Sequence, residues 1–239
     1  MKVEKSHESF ERIYGTCWRY YRELEHSLAE TRRYVSFDER NFSAFSLEYL
    51  RIILAVCGEV DTVRKCLAQI ADPDFEVKNA NILKWYYSIQ CARPSHPVWD
   101  DCRDEYSPPS EGTVVILDES IELRPWSGFG VERYFDRRGA LRHRKAKGKK
   151  SLRWWEDHTK LKHRRISLEG GRLTSDFKVA NLRNALNSMA ALYTLEKALL
   201  GAVGTLDDLE ADIDDSELFA QRPRMMTPSD IDELIESLN

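Results

Sequence analysis

Residues 46–71 read SLEYLRIILAVCGEVDTVRKCLAQIA. Within them Leu50, Ile53, Leu54, Cys57, Val60, Val63, Leu67 and Ile70 recur at three- and four-residue spacing, which places one apolar stripe along a helix. Asp72-Pro73 stops the pattern, because proline disfavours the helical conformation in the residue before it. This long amphipathic segment sets the class of the fold as mainly α.

Working outward, Ser9 to about Val35 repeats the same periodicity through Phe10, Ile13, Tyr14, Cys17, Tyr21, Leu24, Leu28 and Thr31. A polar break, Ser36–Ser43, separates the two helices. Val77 to Cys91 is a shorter helix with Ile82, Tyr86 and Ile89 inward. Asp176 to about Val203 is the last long one, with a stripe of Leu182, Leu186, Met189, Leu192, Tyr193, Leu199 and Val203. Between the third and last helices, residues 93–113 are rich in proline and read as irregular. Thr113–Leu117 and Ser120–Leu123 are β-branched and apolar, which predicts a small hairpin. The expected architecture is a helical bundle over residues 1–204 with an irregular insertion at 93–150. An acidic, partly disordered tail follows at 205–239, ending in a short helix at Thr227–Ile235.

Composition bounds the function classes. The chain has 239 residues, long enough for a well-filled core, and no run of apolar residues approaches the eighteen or so that a membrane span needs. The first residues lack an apolar signal region, and the five cysteines include no Cys-x-x-Cys pair. A reduced, cytoplasmic protein without a metal site or cofactor is the expectation. No Gly-rich phosphate loop, His-Glu-x-x-His or Gly-x-Ser-x-Gly occurs, so nothing supports ATPase, zinc-protease or α/β-hydrolase chemistry.

The net charge of −4 hides a strong asymmetry. Residues 137–165 hold thirteen Lys/Arg against Glu156 and Asp157, whereas residues 206–239 hold eleven Asp/Glu against Arg222 and Arg224. Such a basic block points to a polyanion partner, or to the acidic tail standing in for one. The block ends in Arg153-Trp-Trp-Glu-Asp-His158-Thr-Lys-Leu-Lys162-His163-Arg-Arg165. On a helical wheel Trp154, His158 and Leu161 share an apolar face, while Arg153, Lys160 and Arg164 lie together opposite, with His163 beside them. Candidate nucleic-acid contacts are Arg142, Arg144, Lys145, Lys147, Lys149 and Lys150 before the helix, and Lys160, Lys162 and Arg164 on it. Aromatic residues are absent within the 137–150 run, which argues against base stacking there. Plainer roles compete: His158 packing in the core, Arg153 pairing with Asp157 at i+4, and a solvated basic loop.

Three local patterns carry a resemblance. They are Tyr20-Tyr-Arg-Glu-Leu-Glu25 with Arg33-Tyr34-Val35, Phe45-Ser-Leu-Glu48 leading to Gly58-Glu59-Val-Asp61, and Trp154-Trp155 through Lys162-His163 followed by Phe177, Ala180-Asn181 and Asn184. Together with the helical order they resemble bacterial proteins related to the HEPN superfamily. The resemblance implies an α bundle, a homodimer, and metal-independent endoribonuclease chemistry of the kind found in toxin–antitoxin and phage-defence systems, with RNA and a cognate antitoxin as partners. It also implies an arginine followed after four to six residues by a histidine. Arg153 and His158 fit that spacing; in a second register His163 is the histidine and position 158 takes the arginine slot. The imidazole would accept the ribose 2′-hydroxyl proton and the guanidinium would steady the phosphate. A non-catalytic module that binds nucleic acid or protein, its motif kept for packing, is the other reading.

Overall fold

The computed structural model describes residues 12, 14–72, 74–78, 80–92, 113–117, 119, 121–169, 172–207 and 215–222. A π-helical turn, Tyr14–Trp18, feeds into α1 (Arg19–Glu30); α2 is Leu47–Ala71 and α3 is Ile82–Ala92. Four strands follow, β1 (Thr113–Ile116), β2 (Glu122–Leu123), β3 (Val131–Phe135) and β4 (Leu141–Lys145), then α4 (Arg153–His163). A hairpin of β5 (Ile166–Glu169) and β6 (Arg172–Ser175) precedes α5 (Leu182–Asp207), and β7 (Phe219–Arg222) comes last. No helix among the described residues is long and apolar enough to cross a membrane.

The centre is the pair α2 and α5, with α1, α3 and α4 packed around it. Alanines 185, 190, 191, 198 and 202 and leucines 186, 192, 195, 199 and 200 are all buried on α5. A helix apolar nearly all round belongs inside, and its alanines let neighbouring backbones approach closely. The Ser46 Oγ caps α2 by accepting the Tyr49 N–H at 3.0 Å. An aromatic cluster joins α3, the turn at Pro125–Phe129 and α4: Trp126 stands 5.5 Å from Trp85 and edge-on to Trp154 at 5.4 Å. The Trp126 indole donates to Thr194 Oγ1 of α5 at 2.9 Å, so this buried polar group is satisfied.

Mainly α describes the chain, but a helical bundle with one small hairpin does not. The described residues include three small sheets: an antiparallel β2-β1-β7 sheet and the separate hairpins β3-β4 and β5-β6. The expected hairpin at Thr113–Leu123 is present, with Val114 opposite Leu123, but β1 also pairs with β7, Val115 opposite Ala220. The stretch expected to be irregular is thus largely regular from Thr113 onward, while residues 93–112 lie outside the described residues. Part of the segment read as an acidic tail also belongs to the fold, because Leu218 and Phe219 are buried against the core. The short helix expected at Thr227–Ile235 lies outside the described residues.

Candidate nucleic-acid interface

Strand pairing builds the first half of the basic surface. In β3-β4, Glu132 sits opposite Arg144, Tyr134 opposite Arg142 and Phe135 opposite Leu141. Side chains alternate between faces along a strand. Arg133 and His143 turn toward Tyr87 of α3, the guanidinium 4.4 Å and the imidazole 5.2 Å from its ring centre. Glu132, Arg142, Tyr134 and Arg144 fall on the other face. There Arg144 bonds Glu132 at 2.7 Å while lying over the Tyr134 ring, and Arg142 bonds Asp136 at 3.0 Å. Both arginines are thereby partly neutralised, though each remains about 60% exposed. At the tip Phe135 is 73% and Leu141 46% exposed.

The turn after β4 aims three lysines outward. Lys150 N–H donates to Gly128 O at 2.7 Å, and Ala146 N–H to Gly130 O at 2.9 Å. The aliphatic stems of Lys150 and Lys149 lie where a Cβ on Gly128 or Gly130 would project, with nearest approaches of 3.1 and 3.0 Å. Long stems held against backbone leave their ammonium groups in solvent with less rotamer freedom left to lose. Lys147, Lys149 and Lys150 are exposed and form no ion pair among the described residues. Lys145 reaches Ser151 Oγ at 3.4 Å.

On α4 the buried face is Trp154, Asp157, His158 and Leu161, the stripe expected from spacing plus one carboxylate. The Trp154 indole donates to Pro125 O at 2.9 Å. Asp157, 4% exposed, accepts from Asn184 of α5 at 3.0 Å and from Lys160 at 2.6 Å, with Arg153 farther off at 3.9 Å. Sequence reasoning noticed the Arg153–Asp157 spacing but not Lys160 or Asn184, and so missed that Asp157 ties α4 to α5.

The three catalytic candidates do not meet. His158 is 7% exposed, its ring 5.0 Å from Trp155, and among the described residues its Nδ1 has no hydrogen-bond partner. Burial first, then the nearby charges of Lys162 and His163, pushes its pKa down to about 4. So weak a base, facing the core, is far from the near-neutral pKa that general-base chemistry favours. Arg153 is 86% exposed at the first residue of the helix, and His163 is exposed at the last. At the helical rise those ends are about 15 Å apart. Lys162, Arg164 and Arg165 are exposed beside His163, where cations also complement the helix C-terminus. Lys160 is committed to Asp157.

Elsewhere, a groove of about 400 Å³ lined by Glu30, Tyr34, Glu48 and Tyr49 separates the end of α1 from the start of α2. Its two carboxylates make it a poor receptor for phosphate. Comparison with protein-family models, with curated proteins and with solved structures finds no match, so no relative transfers a site to this chain.

Proposed function

We propose that the chain binds single-stranded RNA through the β3-β4 hairpin and the turn leading into α4, without cleaving it. The observation that carries this is the set of outward ammonium groups on Lys147, Lys149 and Lys150, the last two with stems held on glycine backbone, beside a hairpin whose tip exposes Phe135. Ammonium groups without carboxylate partners are free to replace the counterions of a phosphate chain. At the far end of the same hairpin, roughly 13 Å or more along the strands, an exposed ring offers a platform for an unpaired base, which a duplex would hide. Arg153 continues the positive surface onto α4.

Binding without cleavage fits the chemistry of a single protomer. The buried histidine is a weak base, and the exposed histidine and Arg153 stand at opposite ends of one helix. The proposal rests on this surface and not on the HEPN resemblance, and the cognate antitoxin and homodimer implied by that resemblance are not needed for it.

The test is fluorescence anisotropy of a short labelled single-stranded RNA titrated with the full chain in EDTA, over a range of salt, with the RNA then run on a denaturing gel. The expected result is saturable binding that weakens linearly on a log–log salt plot, with the RNA intact. Absence of binding at low salt overturns the proposal, and cleavage lost on His163→Ala restores the nuclease reading.

A further inference from the structure

Away from the basic surface, three helical segments converge on a different kind of site. We propose that Cys17, Glu59 and Glu196 bind a divalent transition-metal ion, zinc being the best fit. Ligand atoms of Cys17, Glu59 and Glu196 all lie within 4.8 Å of one another. They come from the π-helical turn, from α2 and from α5, so an ion there would tie the start of the chain to the central helix pair.

The second and independent observation is Glu196. It is 0% exposed on α5, and among the described residues neither carboxylate oxygen has a hydrogen-bond partner. Buried carboxylates elsewhere in this chain are satisfied: Glu25 accepts several donors, and Asp157 accepts Asn184 and Lys160. Taking a carboxylate out of water without a partner is so costly that it takes up a proton or a cation. The ligand-bearing groups gathered with it are another carboxyl and a thiol.

Donor chemistry chooses the ion. One thiolate and two carboxylate oxygens suit a borderline metal such as zinc, and not calcium or magnesium, which take oxygen alone, or Cu(I), which prefers sulfur alone. Modest rotamer changes from the present separations reach metal–ligand lengths of about 2.0–2.3 Å. The π-helical turn at Tyr14–Trp18 is where Cys17 is set, and such single turns recur at functional positions. Sequence patterning gave no hint of the site, because its ligands are spread over nearly 180 residues and no two share a metal-binding spacing.

The experiment uses the full reduced chain, freed of metal by chelator and dialysed, then titrated with zinc and, separately, with cobalt(II). One zinc per chain by elemental analysis, a thiolate-to-cobalt charge-transfer band and a rise in Tm are expected. Cys17→Ser should remove that band, and Glu196→Gln should weaken zinc affinity by about a hundredfold or more. Should Glu196→Gln fail to fold, the half-buried Glu59→Gln gives the same readout. The proposal is overturned if the chain takes up no zinc, or if Cys17→Ser and Glu59→Gln bind as wild type does. It is equally overturned if Glu196→Gln raises Tm while zinc and chelator leave wild type unmoved, since the carboxyls then simply share a proton.

Discussion

The Glu25 carboxylate, wholly buried in α1, accepts the backbone N–H of Leu218 at 3.0 Å across 193 positions of sequence. It also accepts Glu217 N–H at 2.9 Å, Tyr21 Oη at 2.7 Å, Arg22 at 3.0 Å and the Ser216 hydroxyl. One side chain therefore replaces the water around the segment that returns to form β7. Replacing Glu25 with Ala strands these donors, and hydrogen bonds to a charged group are the strong kind. The expected cost is about 3 kcal/mol in urea unfolding, with early loss of hydrogen-exchange protection at Leu218. Glu25→Gln, which keeps one acceptor oxygen, should lose less. Equal protection at Leu218 in wild type and Glu25→Ala would show that β1 pairing alone holds the strand.

His158 makes stability pH-dependent. Its folded pKa of about 4 lies below the ordinary histidine value, so between those pH values the unfolded chain binds a proton that the folded chain refuses. Stability is therefore full above about pH 6.5 and is lost as pH falls toward 4. Against His158→Phe, which fills similar space beside Trp155 without titrating, wild type should lose about 2 kcal/mol more between pH 7.5 and pH 5. Urea unfolding of both proteins at the two pH values checks this, since the other acids cancel in the difference. Parallel pH profiles would mean the imidazole reaches solvent in the folded state.

Periodicity made the interior legible and strand order invisible. The expected helix at Ser46–Ala71 is found at Leu47–Ala71 with Ser46 as its cap, because a long apolar stripe and a proline stop are local signals. α5 begins at Leu182, not Asp176, because the Phe177–Val179 turn intervenes and the Asn181 side chain accepts the Asn184 N–H at 3.0 Å, as an N-cap does. The β5-β6 hairpin was there to be read: two short runs of β-branched and apolar residues flank Gly170-Gly171, a combination that marks hairpins. By contrast, β7 has no local signal, since its place depends on Glu25 and β1, both far away in sequence. The same holds for the basic surface: its charges stand in the run itself, whereas Phe135 reaches the tip through cross-strand pairing with Leu141.

Charge and aromatic contributions to RNA binding should separate in a salt series. Lys147→Gln, Lys149→Gln and Lys150→Gln combined remove three outward ammonium groups, and each phosphate contact on a single strand adds about 0.7 to the log–log slope. The triple variant should bind more weakly and lower the slope by about 2. Phe135→Ala should instead lose affinity by a factor of about ten at every salt concentration with the slope intact, the behaviour of a stacking contact. If Phe135→Ala binds as wild type does, the ring takes no part and the surface acts by charge alone.

Glycines on this hairpin allow lysine placement to be tested apart from backbone strain. Gly128 and Gly139 both have φ of 73°, but a Cβ on Gly128 meets the Lys150 stem at 3.1 Å while one on Gly139 meets nothing within 4 Å. Gly130 has no such backbone requirement, yet a Cβ there would press on the Lys149 stem at 3.0 Å. Alanine at Gly128 or Gly139 should each cost about 1–2 kcal/mol of stability, the penalty of left-handed backbone. Gly130→Ala should leave the backbone unstrained and move Lys149. RNA affinity should then fall for Gly128→Ala and Gly130→Ala and hold for Gly139→Ala, measured at a temperature where all three are folded. If affinity instead follows stability across the set, the lysine stems are not held in a binding arrangement and the charges act as a diffuse cloud.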